Sequence, residues 1–302
     1  MGAVVFGEPV KVLVTGGEGQ IARALSAQDE PYFEVVSLSR AELDVTDPDS
    51  IRQQLDQHMP AFVINCADYN RIDEAIHSPQ KAQAVNTAGV ENIALACGDL
   101  SIPVVHISTD FVFDGHYASG YVEDDEVAPL SVYGESKWQG EEALRRLLPQ
   151  HLILRVSWVF GAEGDNYLQR ALKQARQQTE ISAVDDRRGC PTSAGDVARV
   201  LFAAMKQLDN GSDCWGTYHY CGAEITSRYS FCEAIVAAAS QYEDLAVKEI
   251  KAIAGKDLRT EAQRPVSSVL TCKKLLHSFG IRQRPWRSEL TAVIKEIYAD
   301  RV

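Results

Sequence analysis

Long apolar runs, positive charge, paired cysteines and ligand-spaced histidines are what this sequence has little of. No stretch approaches the roughly 18 consecutive apolar residues that a membrane span needs, so no membrane partner is expected. Lys and Arg number 30 against 42 Asp and Glu, a formal net charge of −12. A chain so acidic lacks the basic surface on which nucleic-acid phosphates bind, which excludes a general nucleic-acid binder. The seven cysteines, at 66, 97, 190, 214, 221, 232 and 272, are odd in number and include no C-x-x-C pair. That argues against a disulfide framework or zinc site and for reduced thiols in the cytoplasm. The seven histidines show no ligand spacing, so no catalytic metal is expected. The opening residues 1–8 have no basic region ahead of a very short apolar stretch and do not read as a secretory signal. There is no internal repeat and no low-complexity linker.

What is present is ordinary globular material: 302 residues, 45% hydrophobic and 24% charged. That length suits two domains or one large one. Apolar strand signals at 10–14, 33–38, 61–65, 102–107 and 151–156 alternate with helical stretches at 20–25, 48–58, 79–97 and 133–148. Asp47 stands as the cap of the second helix. Apolar strands separated by helices predict an α/β fold, a doubly wound parallel sheet of the Rossmann type covered on both faces. After about residue 158 the pattern loosens into helices at 167–178, 194–207, 227–240 and 289–299 with brief strands near 181–184 and 217–220. We expect a nucleotide-binding domain over 10–157, to which 190–224 returns, and a smaller α+β region over 158–189 and 225–302. The acidic run Glu123-Asp124-Asp125-Glu126 reads as a solvated loop.

Thr15-Gly16-Gly17-Glu18-Gly19-Gln20-Ile21-Ala22 follows the first strand and opens the first helix. Glycines let the backbone turn tightly against a pyrophosphate, and the helix N-terminus offers free N–H groups and a positive dipole end. In this strand–turn–helix context the pattern predicts a dinucleotide site. An NAD-selective site usually carries a carboxylate about 20 residues past the glycines, on the ribose 2′-OH. Here the second strand ends at Leu38-Ser39-Arg40, and acids come only at Glu42 and Asp44. Arg40 suits a 2′-phosphate instead, so NADPH is expected, with NADH use left open.

Tyr133 and Lys137 form a Tyr-x-x-x-Lys pair, which shares one face of a helix. A nearby ammonium favours phenolate and is expected to draw the phenol down from its usual value near 10. His106-Ile107-Ser108-Thr109-Asp110 ends the fourth strand, at the carboxyl edge where open sheets bind ligands. The Thr109 hydroxyl is placed there to donate to a substrate carbonyl.

Together these residues resemble the extended short-chain dehydrogenases/reductases and, more narrowly, the dTDP-4-dehydrorhamnose reductase family. The likeness covers nearly the whole chain after the first ten residues. Its most specific runs are Ser108-Thr109-Asp110-Phe111-Val112-Phe113-Asp114-Gly115 and Gly189-Cys190-Pro191-Thr192, and it continues to Arg264-Pro265 and Trp286. The resemblance implies reduction of the C4 ketone of a nucleotide-activated 4-keto-6-deoxy sugar, dTDP-4-dehydro-L-rhamnose to dTDP-L-rhamnose. It implies Thr109, Tyr133 and Lys137 as the catalytic set, and Gly16, Gly19, Gln20 and Ile21 along the pyrophosphate. Asp44 and Val45 would border the adenine, Ala67 and Asn86 would lie along the cofactor, and Asp110 and Trp158 would face the sugar. It also admits a homodimer and a structural Mg²⁺ at a dimer contact, for which the residues identify no site.

The chain departs from the family in three places. Ala67-Asp68-Tyr69-Asn70 stands where the family often reads Ala-Ala-Tyr-Thr, Arg228 where Trp is common, and Ser267-Ser268 where Asn-Ser is common. These changes bear on the identity of the sugar more than on the chemistry. A substrate diphosphate needs local cations in so acidic a chain. Arg187, Arg188, Arg259 and Arg264 are candidates, and Arg264 is the one expected to hold it. Two other readings keep the fold: a sugar-nucleotide epimerase, and a non-catalytic NADP-binding regulatory subunit like the β subunit of methionine adenosyltransferase. A dehydratase is disfavoured, because Phe111 occupies the place where such enzymes carry a catalytic Glu.

Overall fold

Strand β1 (Val10–Thr15) divides the core between two layers. Val12 and Val14 join Ile21, Leu25, Val197 and Leu201 on one face of the sheet; Leu13 joins Ile51, Leu55, Val90 and Leu144 on the other. This period-two alternation, with both faces apolar, is what a strand covered twice requires. The computed structural model describes residues 8–299. β1 is followed by α1 (Gln20–Ala27), β2 (Phe33–Ser37), α2 (Pro48–His58) and β3 (Phe62–Asn65). Asp47 caps α2, its side chain accepting from the Asp49 N–H at 3.0 Å, and Pro48 opens the helix.

The helical stretch expected at 79–97 is interrupted. It runs as Pro79–Gln83, a π-turn over Ala84–Ala88, and α3 (Gly89–Asp99). Then come β4 (Val104–Thr109), α4 (Val132–Leu147) and β5 (His151–Val156). The second half holds α5 (Tyr167–Gln177), β6 (Glu180–Val184), α6 (Ala194–Asp209) and β7 (Gly216–Tyr220). It ends with α7 (Arg228–Ala239), β8 (Glu249–Ile253), α8 (Lys273–Phe279) and α9 (Trp286–Ile297).

The main sheet has the order β7-β5-β4-β3-β1-β2, and every pair in it is parallel. The brief strand read near 217–220 is therefore the sixth strand of this sheet, paired with β5 through Tyr218↔Leu154. From β1 the chain passes to one side through β2 and then returns to the other through β3. That reversal opens a crevice at the carboxyl edge between β1 and β3, where ligands bind in open α/β sheets. β6 and β8 pair in parallel outside it, and α5, α7 and α9 close a separate core around Phe160, Phe231 and Trp286. No helix among the described residues is long and apolar enough to cross a membrane.

The acidic run at 123–126 is not all solvated. Glu123 turns inward, accepts from the His219 N–H at 2.9 Å, and is pushed above the usual carboxylate range by burial. Its backbone carbonyl also accepts from Arg155, whose buried charge draws polar partners.

Candidate active site

The glycine turn sits where three strand ends meet. Gly16 has φ +67°, a left-handed conformation that favours glycine, and a Cβ there would stand 2.7 Å from the Ala67 nitrogen. A Cβ on Gly17 would stand 2.9 Å from the Leu38 carbonyl oxygen. Helix α1 starts from Gly19 with no side-chain cap and no acid in its first turn, so its N-terminal donors are open to an anion. Behind the turn, Thr15 Oγ1 donates to Asn65 Oδ1 at 2.6 Å, and the Ala67 N–H donates to the same oxygen at 3.1 Å. Asn65 Nδ2 meets His106 Nδ1 at 3.1 Å; burial holds this imidazole well below its usual pKa and keeps it neutral. Two buried acceptors nearby, Gln20 Oε1 and Ser37 Oγ, lack partners among the described residues. A cradle without Cβ atoms, open helix donors and unpaired polar atoms together fit a dinucleotide.

Past β2, Arg40 is exposed and reaches Asp44 Oδ2 from both Nε and Nη2 at 3.3 Å. Burial raises the Asp44 carboxyl, but Thr46 and Arg40 overcome this and hold it below the usual range. Glu42 accepts from the Ser39 N–H and hydroxyl at 2.8 and 2.7 Å, so both acids of this segment are engaged locally. Val45 is buried against Gly89, where a Cβ would meet its Cγ2 at 2.7 Å. Asn86, inside the π-turn, is fully buried. It accepts from the Tyr69 N–H at 2.8 Å and donates to Ser136 Oγ at 3.0 Å, tying the 66–70 loop to α4.

Thr109, Tyr133 and Lys137 converge at the carboxyl end of β4. Gly134 makes this approach available: a Cβ there would overlap the Phe111 carbonyl oxygen, so only glycine lets α4 start against the 110–112 turn. Lys137 is 2% exposed and donates to the Ile107 carbonyl at 2.7 Å, which fixes its ammonium under the site. The Thr109 hydroxyl donates to Asp110 Oδ1 at 3.1 Å, and Phe111 sets its ring edge-on to Tyr133 at 5.8 Å.

The Tyr133 hydroxyl donates to Asp68 Oδ2 at 3.1 Å, and Asp68 Oδ1 lies 3.8 Å from the Lys137 ammonium. This corrects the expected electrostatics. Burial pushes the phenol well above its usual pKa, and Asp68 pushes the same way, against a smaller opposing effect of Thr109. The lysine is shared with a carboxylate, so its charge does not dominate the phenol. Burial and Asp68 both favour the neutral phenol over the phenolate.

Asp110 is buried and accepts from Ser157 at 2.9 Å; burial raises its pKa above the usual carboxylate value. Trp158, at φ +48°, packs its indole where a Cβ on Gly189 would lie. The Arg228 guanidinium lies 3.6 Å from the centre of that indole and 4.6 Å from the Tyr167 ring, and burial lowers its pKa to about 10. Arg264, expected to meet a phosphate, instead gives its fork to Asp73 at 3.0 and 2.7 Å and also donates to the Ala262 carbonyl. The fork that suits two phosphate oxygens suits two carboxylate oxygens equally well. Sequence reasoning puts Asp68 and Arg228 in or near the sugar pocket, as departures from the family pattern, but gives neither a role. That departure is their only signal in the sequence. Among the described residues no three His, Cys, Asp or Glu side chains gather as a metal site, so the Mg²⁺ that the resemblance admits finds no such group.

The family described as the RmlD substrate binding domain matches residues 10–299. A dTDP-4-dehydrorhamnose reductase of Sinorhizobium fredii is 36% identical over 289 residues, covering 94% of this chain and 97% of the relative. The crystal structure of a dTDP-4-dehydrorhamnose reductase from Clostridium acetobutylicum superposes with a TM-score of 0.88 at 31% identity, covering 95% of this chain and 99% of the other. That of the Bacillus anthracis dTDP-4-dehydrorhamnose reductase in complex with NADP superposes with a TM-score of 0.87 at 28% identity, with the same coverage.

Proposed function

The chain belongs to the dTDP-4-dehydrorhamnose reductase family, and from that membership we propose that it reduces the C4 ketone of dTDP-4-dehydro-L-rhamnose with NADPH, giving dTDP-L-rhamnose. It is an NAD(P)H-dependent oxidoreductase of the polysaccharide-building kind that its relatives represent. The geometry that supports the reading is the Tyr133 hydroxyl beside Thr109 and a buried Lys137, at the sheet edge reached by the glycine turn.

Residues 10–157 with 190–224 hold the cofactor in this account, and 158–189 with 225–302 take the sugar nucleotide. Gly16, Gly19, Gln20 and Ile21 receive the pyrophosphate on backbone N–H groups. Arg40 would hold the 2′-phosphate in exchange for Asp44, Asp44 and Val45 would border the adenine, and Ala67 would lie along the cofactor on a loop that buried Asn86 holds in place. NADPH, when bound, supplies the hydride. The residues then manage the oxygen: the Thr109 hydroxyl exchanges its acceptor Asp110 for the substrate carbonyl, and Tyr133 exchanges Asp68 for the same oxygen and gives up its proton as negative charge develops there. Lys137 stands by to offset the tyrosinate left behind. Phe111 gives no acid or base for removing water, so the chemistry ends at the alcohol. Asp110 and Trp158 face the sugar, joined by Arg228; Arg264 serves the same region by holding its loop to Asp73.

The test is to supply the purified protein with NADPH and dTDP-4-dehydro-L-rhamnose and to identify the product. The reading expects NADPH absorbance to fall only when the keto-sugar is present, with dTDP-L-rhamnose appearing in equal amount. Constant absorbance with this and other 4-keto-sugar nucleotides would contradict it.

A further inference from the structure

We infer that Asp68 is a positioning residue for the proton-transfer step, holding the Tyr133 hydroxyl in place and keeping it in the proton-donating form. The inference rests on the reductase reading above. Its basis is a contact pair: Asp68 Oδ2 accepts from the Tyr133 hydroxyl at 3.1 Å, and Asp68 Oδ1 faces the Lys137 ammonium at 3.8 Å. One carboxylate thus meets both members of the Tyr-x-x-x-Lys pair, from a loop 65 residues earlier in the chain. The loop is itself fixed. The Ala67 N–H is bonded to Asn65 and the Tyr69 N–H to Asn86, so Asp68 is held on both sides.

The chemistry explains why a carboxylate there has an effect. Reduction needs a phenol that still carries its proton when the ketone oxygen becomes negative. A phenolate beside a carboxylate is disfavoured by like charge, and a hydrogen bond donated by the neutral phenol is lost when it ionises. Asp68 acts in both ways. Its side chain is 26% exposed, so its oxygens also reach solvent.

The groups around Tyr133 can be named element by element. Asp68 comes from the loop after β3, Thr109 and Asp110 from the end of β4 and its following turn, and Lys137 from the next turn of α4. Cys66 faces Asp68 and Lys137, with its thiol pushed by burial to about 12, and His106 behind Lys137 is kept neutral by burial. Among these, Asp68 and Asp110 oppose ionisation of the phenol and Thr109 favours it. Asp110 is buried and bonded to Thr109 and Ser157; Asp68 alone of the two bonds to the phenol itself.

Asp68 affects both the pH dependence and the rate. With Tyr133 as the acid, kcat/KM for the keto-sugar falls on the alkaline side as the phenol ionises. Removing the charge in Asp68→Asn, which keeps the shape and an accepting oxygen, frees Lys137 for the phenol as well. The alkaline limb should therefore move to lower pH by about one unit or more. Asp68→Ala should move it the same way and also lower kcat, because the hydroxyl loses its acceptor. KM for NADPH should stay within about threefold of the wild type in both.

The experiment is the pH profile of kcat/KM for wild type, Asp68→Asn and Asp68→Ala, with melting temperatures alongside. A limb displaced downward in the folded variants supports the assignment. A limb unmoved in Asp68→Asn with an unchanged melting temperature overturns it, and Asp68→Ala decides if the Asn variant fails to fold. Wild-type turnover with an unmoved limb leaves the reductase reading standing without Asp68. No wild-type turnover overturns both.

Discussion

Tyr133→Phe keeps the ring that packs edge-on to Phe111 but removes the proton that reaches the substrate. Turnover should fall by about 10²-fold or more, the scale of general acid catalysis, while NADPH affinity measured by fluorescence titration stays near wild type. Near-normal turnover would remove Tyr133 from the mechanism. Arg228 makes a second residue-scale prediction. Its guanidinium is stacked on Trp158, with no salt bridge to it among the described residues. If it meets the sugar nucleotide, Arg228→Ala should raise KM for that substrate by about 10-fold or more, as loss of a charged hydrogen bond does, and leave KM for NADPH unchanged. Equal changes in both would assign it to packing. Thr109, Tyr133 and Lys137 were legible in the sequence because a fixed helical spacing and a strand end announce them. Asp68 was not, because its partners lie 65 and more residues away and no periodicity links them. The sign of the phenol shift was misjudged for the same reason: the lysine was visible in the motif, whereas the opposing carboxylate and the burial were not.

Helix α4 is held to the sheet by a buried charge cluster below the site. Glu141 accepts from Arg155 at 2.7 and 3.0 Å and from Arg145 at 2.6 Å, and it also bonds Ser108 on β4. Burial alone would raise this carboxyl, but the two arginines and Ser108 hold it at about 2, below its ordinary 4.5. A carboxylate depressed in this way contributes stability that is fully present above about pH 4.5 and is lost as pH falls through about 2. Glu141→Gln leaves the buried Arg155 without its charge partner and should destabilise by about 3–5 kcal/mol in urea unfolding at neutral pH. The gap to wild type should narrow in acid; a constant gap from neutral pH to pH 3 would refute the linkage. Gly140 on the same helix lies against the π-turn, where a Cβ would overlap the Asn86 carbonyl oxygen. The sequence predicts most helices within a few residues of their observed ends, because caps and apolar periodicity are local. The π-turn at 84–88, which places Asn86, left no such local mark: its extra residue is accommodated by close packing on α4.

The sheet order depends on contacts between distant strands: the sequence returns 190–224, with its brief strand near 217–220, to the nucleotide-binding domain, but does not give that strand its place in the sheet. Gly216–Tyr220 is short and preceded by a loop, and only pairing with β5 brings it into the main sheet. The net charge of −12 likewise says nothing of local placement: Arg40 stands past β2 against Asp44, Lys137 is buried under the site, and Arg228 is stacked on Trp158. If the glycine turn binds the cofactor, NADP at about 100 times its dissociation constant should stabilise the whole fold by about 2.7 kcal/mol. Gly16→Val, which puts a side chain against Ala67 and strains a left-handed backbone, should abolish that gain; equal gains in both proteins would place the cofactor elsewhere. The most direct test of the account follows the hydride itself. Enzyme, dTDP-4-dehydro-L-rhamnose and NADPH deuterated at the transferable position are incubated, and the sugar is analysed by mass spectrometry and NMR. The account predicts one deuterium at C4 of dTDP-L-rhamnose for each NADPH consumed, and about a hundredth as much labelled product or less with Tyr133→Phe over the same time. A rearranged sugar without deuterium or net NADPH loss, or bound NADPH that is never consumed, would contradict it.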